Sequence, residues 1–180
     1  MHDAHSVAGF GPSAGAAEER DGGYLAARRN SRVGAPHIHG ERSMPFQTSR
    51  VILFGDCDPG GVVYTPRIAH FVVEACLDFL SHALGGPAAR RLFALGILPP
   101  ARALSIEFLH PMVWDEVIAI EVVVERLGEH SFTLAVDAAN AEGTRTFRAS
   151  ITQVTISPET RRPVPLPLEL RTALESTGRG

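Results

Sequence analysis

The chain reads as an α+β domain in which a five-stranded antiparallel sheet wraps around one long helix. Three observations predict it. Residues 66–84 carry a broad apolar face and a narrow polar stripe at helical spacing. Five runs have strand character, and the last four follow one another with short later connections. The composition, 44% apolar and 21% charged over 180 residues, is that of one soluble globular domain.

Residues 1–46 differ from the rest. Gly, Ala, Ser, Arg and His are frequent there and no period of 2 or 3.6 is sustained, so the stretch is read as a disordered extension. Met44 stands just before the first strand and is a candidate start of the natural chain. His37-Ile38-His39 is read as solvated tail rather than as a metal site. The domain proper spans 47–158. Its first strand is Ser49–Phe54. A helix over Pro66–Leu84 follows. Thr65 is a suitable N-cap, Pro66 suits the first helical position, and Gly85-Gly86 ends it. Arg67, His70, Glu74, Asp78, Ser81 and His82 form its polar stripe. Ile68, Phe71, Val72, Ala75, Cys76, Phe79, Leu80 and Ala83 lie on the face that must be buried. Pro87–Leu95 can form a short second helix. The remaining strands are Ala103–Phe108, Glu116–Leu127, Ser131–Ala138 and Arg145–Ile156, and their succession predicts an antiparallel meander. Residues 159–180 make a Pro-rich tail, within which Leu168–Leu174 is predicted as a surface helix.

Bulk properties exclude several roles. A formal net charge of −3 leaves no electrostatic footprint for nucleic acid. There is no run of about 18 uncharged apolar residues, so no membrane span is expected, and no secretory signal is read at the N-terminus. Cys57 and Cys76 cannot build a disulfide framework, so a reducing, cytoplasmic setting is expected. No histidine or acid spacing argues for a metal, and no cofactor is expected.

The loop Phe54-Gly55-Asp56-Cys57-Asp58-Pro59-Gly60-Gly61-Val62-Val63-Tyr64-Thr65-Pro66 carries the chemistry. It joins a strand to the start of the long helix. Helix starts present unpaired N–H groups and the positive end of the dipole. A carboxylate beside such an end is equipment for acyl transfer. From the loop alone, Asp58 is either a catalytic carboxylate or the acceptor of an Asx-turn.

These residues resemble a known family. The order strand, Asp-x-Asp-Pro-Gly-Gly loop, buried helix and strands is similar to the hotdog-fold acyl-CoA thioesterases. It is nearest to the branch of the Pseudomonas-type 4-hydroxybenzoyl-CoA thioesterase and the YbgC/FadM-like enzymes. Phe54–Pro59, Gly61–Tyr64, Pro66, Trp114-Asp115-Glu116-Val117 and Ser131-Phe132 carry the likeness, which covers about residues 48–157. The resemblance implies that Asp58 attacks the thioester carbonyl or activates a water. It implies that the N–H of Thr65 binds the thioester oxygen. Several relatives have His or Tyr where this chain has Thr65, so any imidazole chemistry at that position is lost. It also implies an acyl-CoA substrate and a homo-oligomer, dimeric or tetrameric, with sites at the dimer interface. An acyl-carrier-protein thioesterase and a non-catalytic acyl-CoA-binding module are the alternatives.

Other candidates surround this pair. Gly61 permits positive φ or close approach of a substrate. Tyr64 and Pro66 are expected at the substrate pocket, Tyr64 alternatively as core packing with its hydroxyl at the rim. His70 and Glu74, spaced i and i+4, can face the site or form a structural ion pair. Asp56 is read as structural. Cys57 is read as a packed small residue rather than a nucleophile. His110 and His130 are read as solvated. Arg67 and Arg90 are among the arginines able to meet CoA phosphates.

Overall fold

A computed structural model of the chain describes residues 45–177; the predicted extension, with its histidines, lies almost wholly outside the described residues. The elements run β1 (Phe46–Val51), a short 3-10 turn (Phe54–Asp56), α1 (Thr65–Ala83), α2 (Ala88–Ala94), β2 (Ala101–Phe108), β3 (Val117–Leu127), β4 (Ser131–Asn140), β5 (Arg145–Val154) and α3 (Leu168–Thr177). All five strands join one antiparallel sheet in the order β1-β3-β4-β5-β2.

The sheet packs its apolar face on α1. Ile118, Ile120 and Val122 of β3 alternate inward, and so do Leu134 and Val136 of β4 and Phe147, Ala149 and Ile151 of β5. Register aligns them: Ile120 faces Ala138, Val136 faces Ala149, and Leu134 faces Ile151. The buried side of α1 is Ile68, Phe71, Val72, Ala75, Cys76, Phe79 and Leu80, the face that periodicity predicts except for Ala83, which is only half-buried. This is the hotdog fold, a sheet curled around one central helix.

Four expectations need correction. The first strand lies at Phe46–Val51, not Ser49–Phe54. The chain leaves the sheet at Ile52 because the Asp56 carboxylate takes the Leu53 N–H at 3.0 Å and winds residues 54–56 into a 3-10 turn. The meander holds only for β3, β4 and β5. β2 pairs with β5 at the opposite edge, and β1 covers β3. An eight-residue connection, Leu109–Glu116, makes that possible. It can reach roughly 27 Å, whereas three strand spacings need only about 14 Å. Thr65 is not the N-cap of α1. Tyr64 takes that place with extended backbone, and Thr65 is the first helical residue. Finally, α3 is no mere surface helix. Leu170 and Leu174 are 0% exposed and close the core beside α1 and β3.

Candidate active site

The loop between β1 and α1 is built around Asp56. Its side chain is 0% exposed. Arg67 Nε of α1 donates to it at 2.6 Å, the Leu53 N–H at 3.0 Å, and a terminal nitrogen of Arg50 on β1 at 3.3 Å. Burial pushes this carboxyl up, but the three donors outweigh it and hold the group below its ordinary value. Arg50 also pairs with Glu74 and lies 4.0 Å over the Phe71 ring. Glu74 therefore joins the structural network through Arg50, not through His70, which stays exposed on α1.

Asp58 follows in a tight turn. Its N–H donates to the Val62 carbonyl at 2.8 Å, and its carbonyl accepts the Gly61 N–H at 2.9 Å. Gly61 has φ 80°, a conformation that favours glycine. One carboxylate oxygen of Asp58, Oδ1, accepts the Gly60 N–H at 2.8 Å. The Asx-turn therefore exists, and it is compatible with chemistry: it fixes one oxygen and leaves Oδ2 without a protein donor among the described residues. A Cβ on Gly60 would sit 3.0 Å from Oδ1, so a larger residue there would push the carboxylate aside.

The turn leads back to the helix start. Tyr64 N–H donates to the Asp56 carbonyl at 2.9 Å, and Val63 N–H to the Met112 carbonyl at 2.9 Å. The next donor along the chain, the Thr65 N–H, makes no hydrogen bond among the described residues. Pro66, which has no N–H, follows it. A cavity of about 310 Å³ opens there, lined by Val62, Val63, Thr65, Ile68, Phe108, Leu109, His110, Pro111 and Met112. Of the predicted site residues, Thr65 lines this cavity. Asp58 and Gly61 sit on the turn that feeds into its wall. Tyr64 and Pro66 are exposed at the helix start, and His70 and Glu74 lie farther along α1. His110, assigned to solvent by sequence, is exposed and also lines this cavity, which the sequence did not signal. A second hollow, about 230 Å³, lies on the outer face of the sheet around Gln47, Glu121, Asp137 and Arg145.

Cys57 is half-buried. Burial and the adjacent charges of Asp56 and Asp58 push its thiol up, which disfavours the thiolate a nucleophile needs. Among the described residues no group of three or more His, Cys, Asp or Glu side chains is placed to hold a metal. The arrangement thus offers one oriented carboxylate, one unpaired N–H at a helix start and an apolar cavity.

Residues 52–174 match the family described as the thioesterase-like superfamily. The chain belongs to that superfamily. Two curated relatives share its core. A 1,4-dihydroxy-2-naphthoyl-CoA hydrolase of Thermosynechococcus vestitus is 29% identical over 128 residues, 71% of this chain and 86% of the relative. An enzyme of the same name from Microcystis aeruginosa is 30% identical over 142 residues, 75% of this chain and 99% of the relative. Among solved structures, that of BH1999 gentisyl-coenzyme A thioesterase superposes with a TM-score of 0.64 at 24% identity, covering 72% of this chain and 99% of that one. In the superfamily's hotdog frame, the Asp58 turn and the first turn of α1 come together at one end of the sheet.

Proposed function

We propose that this superfamily member hydrolyses the CoA thioester of a compact, ring-hydroxylated aromatic acid, releasing the acid and free CoA. One observation carries the reading: a carboxylate with one oxygen tethered, Asp58, stands on the turn that delivers the unpaired Thr65 N–H to an apolar cavity. The thioester oxygen accepts the Thr65 N–H as negative charge develops on it. The free oxygen of Asp58 attacks the carbonyl carbon, the C–S bond breaks, and CoA leaves as thiolate and gains a proton. Water then cleaves the mixed anhydride and restores Asp58. In the equivalent base route Asp58 takes the proton of an attacking water, and the products are the same.

The cavity supports a small acyl group. Its volume, about 310 Å³, lies at the lower end of small-molecule sites. Its walls are aliphatic and aromatic, with His110 and Thr65 as the polar members. The names of the relatives, dihydroxynaphthoyl and gentisyl, point to flat hydroxylated acyl groups. The run Phe54–Pro59 supports a place beside the 4-hydroxybenzoyl-CoA branch.

The protein works as a dimer or tetramer in this reading. β2 is an edge strand with seven of its eight residues exposed, Leu104 and Phe108 among them. Such an edge calls for cover, and a second copy of β2 supplies it.

The test is thiol release from benzoyl, hydroxybenzoyl, dihydroxynaphthoyl, short-chain and long-chain CoA esters, for the wild type and Asp58→Asn. Turnover of an aromatic ester that falls about a hundredfold or more in the variant is the expected result. Equal turnover in both proteins removes Asp58 from the mechanism. Preference for long aliphatic esters removes the aromatic assignment.

A further inference from the structure

Asp56 ties together more of the site than any other side chain near it. Its carboxylate receives Arg50 from β1, Arg67 from the first turn of α1, and the Leu53 N–H from the start of its own turn. Its backbone carbonyl receives the Tyr64 N–H. Asp56 stands two residues before Asp58, and Tyr64 stands immediately before Thr65. A single residue thus pins both ends of the turn that separates the reacting carboxylate from the oxyanion donor.

The surrounding charges indicate the purpose. Arg50, Arg67, Asp56 and Glu74 sum to zero, so the cluster casts little field toward a substrate. Its links are instead mechanical. Through Arg50 they reach Glu74 and Phe71, a further turn up α1. The 42% exposure of the Arg67 side chain contrasts with the full burial of its partner, so the fixed end of this pair is the carboxylate.

We propose that Asp56 is a positioning residue for acyl transfer: by gripping Arg67 and the Tyr64 N–H, it sets the separation of the Asp58 carboxylate from the Thr65 N–H. The proposal rests on the reading of Asp58 and Thr65 as the reacting groups. Asn at position 56 keeps the shape and the Leu53 contact but loses both charged pairs. Arg67→Gln cuts only the link to α1, at a half-exposed position where folding is safe.

The experiment measures kcat and KM for wild type, Asp56→Asn, Arg67→Gln, Asp58→Asn and the Asp56→Asn/Asp58→Asn pair, at a temperature where circular dichroism finds every variant folded. A displacement of the order of 1 Å costs about a hundredfold in rate. Asp56→Asn is therefore expected to lower kcat by roughly 30- to 100-fold, and Arg67→Gln by roughly 3- to 10-fold, each with KM within about threefold. On the Asp58→Asn background the Asp56→Asn change is expected to add less than about twofold, because a residue acting through Asp58 has nothing left to position. A loss confined to KM, or a loss that persists undiminished without Asp58, overturns the proposal. So does kcat within twofold of wild type in Asp56→Asn and Arg67→Gln while Asp58→Asn is inactive. If Asp56→Asn does not fold, Arg67→Gln decides alone. Wild-type turnover in Asp58→Asn defeats the reading of the reacting pair itself, and the proposal falls with it.

Discussion

Replacing Gly60 with alanine probes the orientation of Asp58 without touching a titratable group. The added Cβ would meet Asp58 Oδ1 at 3.0 Å, tighter than nine in ten real Cβ contacts. Ordinary contact begins near 3.4 Å, so the oxygen must retreat by about 0.4 Å. That lengthens its 2.8 Å bond from the Gly60 N–H toward 3.2 Å, the limit of a good hydrogen bond. Hydrogen bonds to charged groups contribute about 1.5–3 kcal/mol net, and losing half of that at the carboxylate proposed to react is about 0.8–1.5 kcal/mol, or roughly 4- to 12-fold in rate. The turn is exposed and Gly60 has no left-handed backbone, so little stability is lost. Gly55→Ala is the matched control, since a Cβ there meets nothing within 4 Å. Thiol-release kinetics on the best aromatic CoA ester are expected to give Gly60→Ala roughly a quarter to a twelfth of wild-type kcat with KM within twofold, and Gly55→Ala wild-type values. Equal kcat for the two alanine variants would refute the argument that the Gly60 tether sets Asp58 for attack.

Other outcomes follow from the same structure. Leu170→Ala should lower unfolding free energy by about 2–5 kcal/mol in urea titrations, because the side chain is fully buried; a change under about 0.5 kcal/mol would show α3 to be peripheral. Asp56 has a carboxyl held below its ordinary value, so the unfolded chain takes up that proton first. Its stabilising contribution is complete at neutral pH and is lost as pH falls below about 4 and through the folded-state value, and denaturation of Asp56→Asn should be less sensitive to acid over that window. Cys76 is buried with its thiol pushed up to about 12 and should resist iodoacetamide at pH 7 in the folded state. Cys57 should react slowly, and faster in Asp58→Asn, where one of the charges opposing its thiolate is gone; intact-mass kinetics read both. Leu104→Lys on the β2 edge should lower the solution mass measured by light scattering to that of a monomer, and an unchanged mass would exclude this edge as the interface.

The parts of the fold legible in the sequence are those governed by period. The buried face of α1 was readable because seven apolar residues recur at helical spacing around a polar stripe. The alternation through Ile118, Ile120 and Val122 likewise marked β3 and its inner side. Alternation reports a strand and its faces but not its neighbour, which is why β2 was joined to β3 rather than to β5. Asp58 stood out through its Pro and Gly neighbours. The ion pairs of Asp56 did not, because its partners Arg50 and Arg67 approach from two elements that only folding brings together. The burial of α3 was hinted at by Leu170 and Leu174 one turn apart, a signal too short to separate a core helix from a surface one.

Strand order also dictates how the chain must be made. The two edge strands of the sheet, β1 and β2, are the first to emerge during synthesis, and each pairs only with a strand made later. Phe79 of α1 finds Phe46 of β1 already made, its ring 5.8 Å away, but the sheet on which the helix packs is complete only when β5 has left the ribosome, some 70 residues afterwards. At 5–20 residues per second that is a wait of roughly 4 to 14 s with a broad apolar stripe uncovered. The central helix is thus both the organising element of the finished enzyme and the nascent chain's chief liability to aggregation, and truncation within β5 should yield a product that chaperones retain instead of a smaller soluble domain.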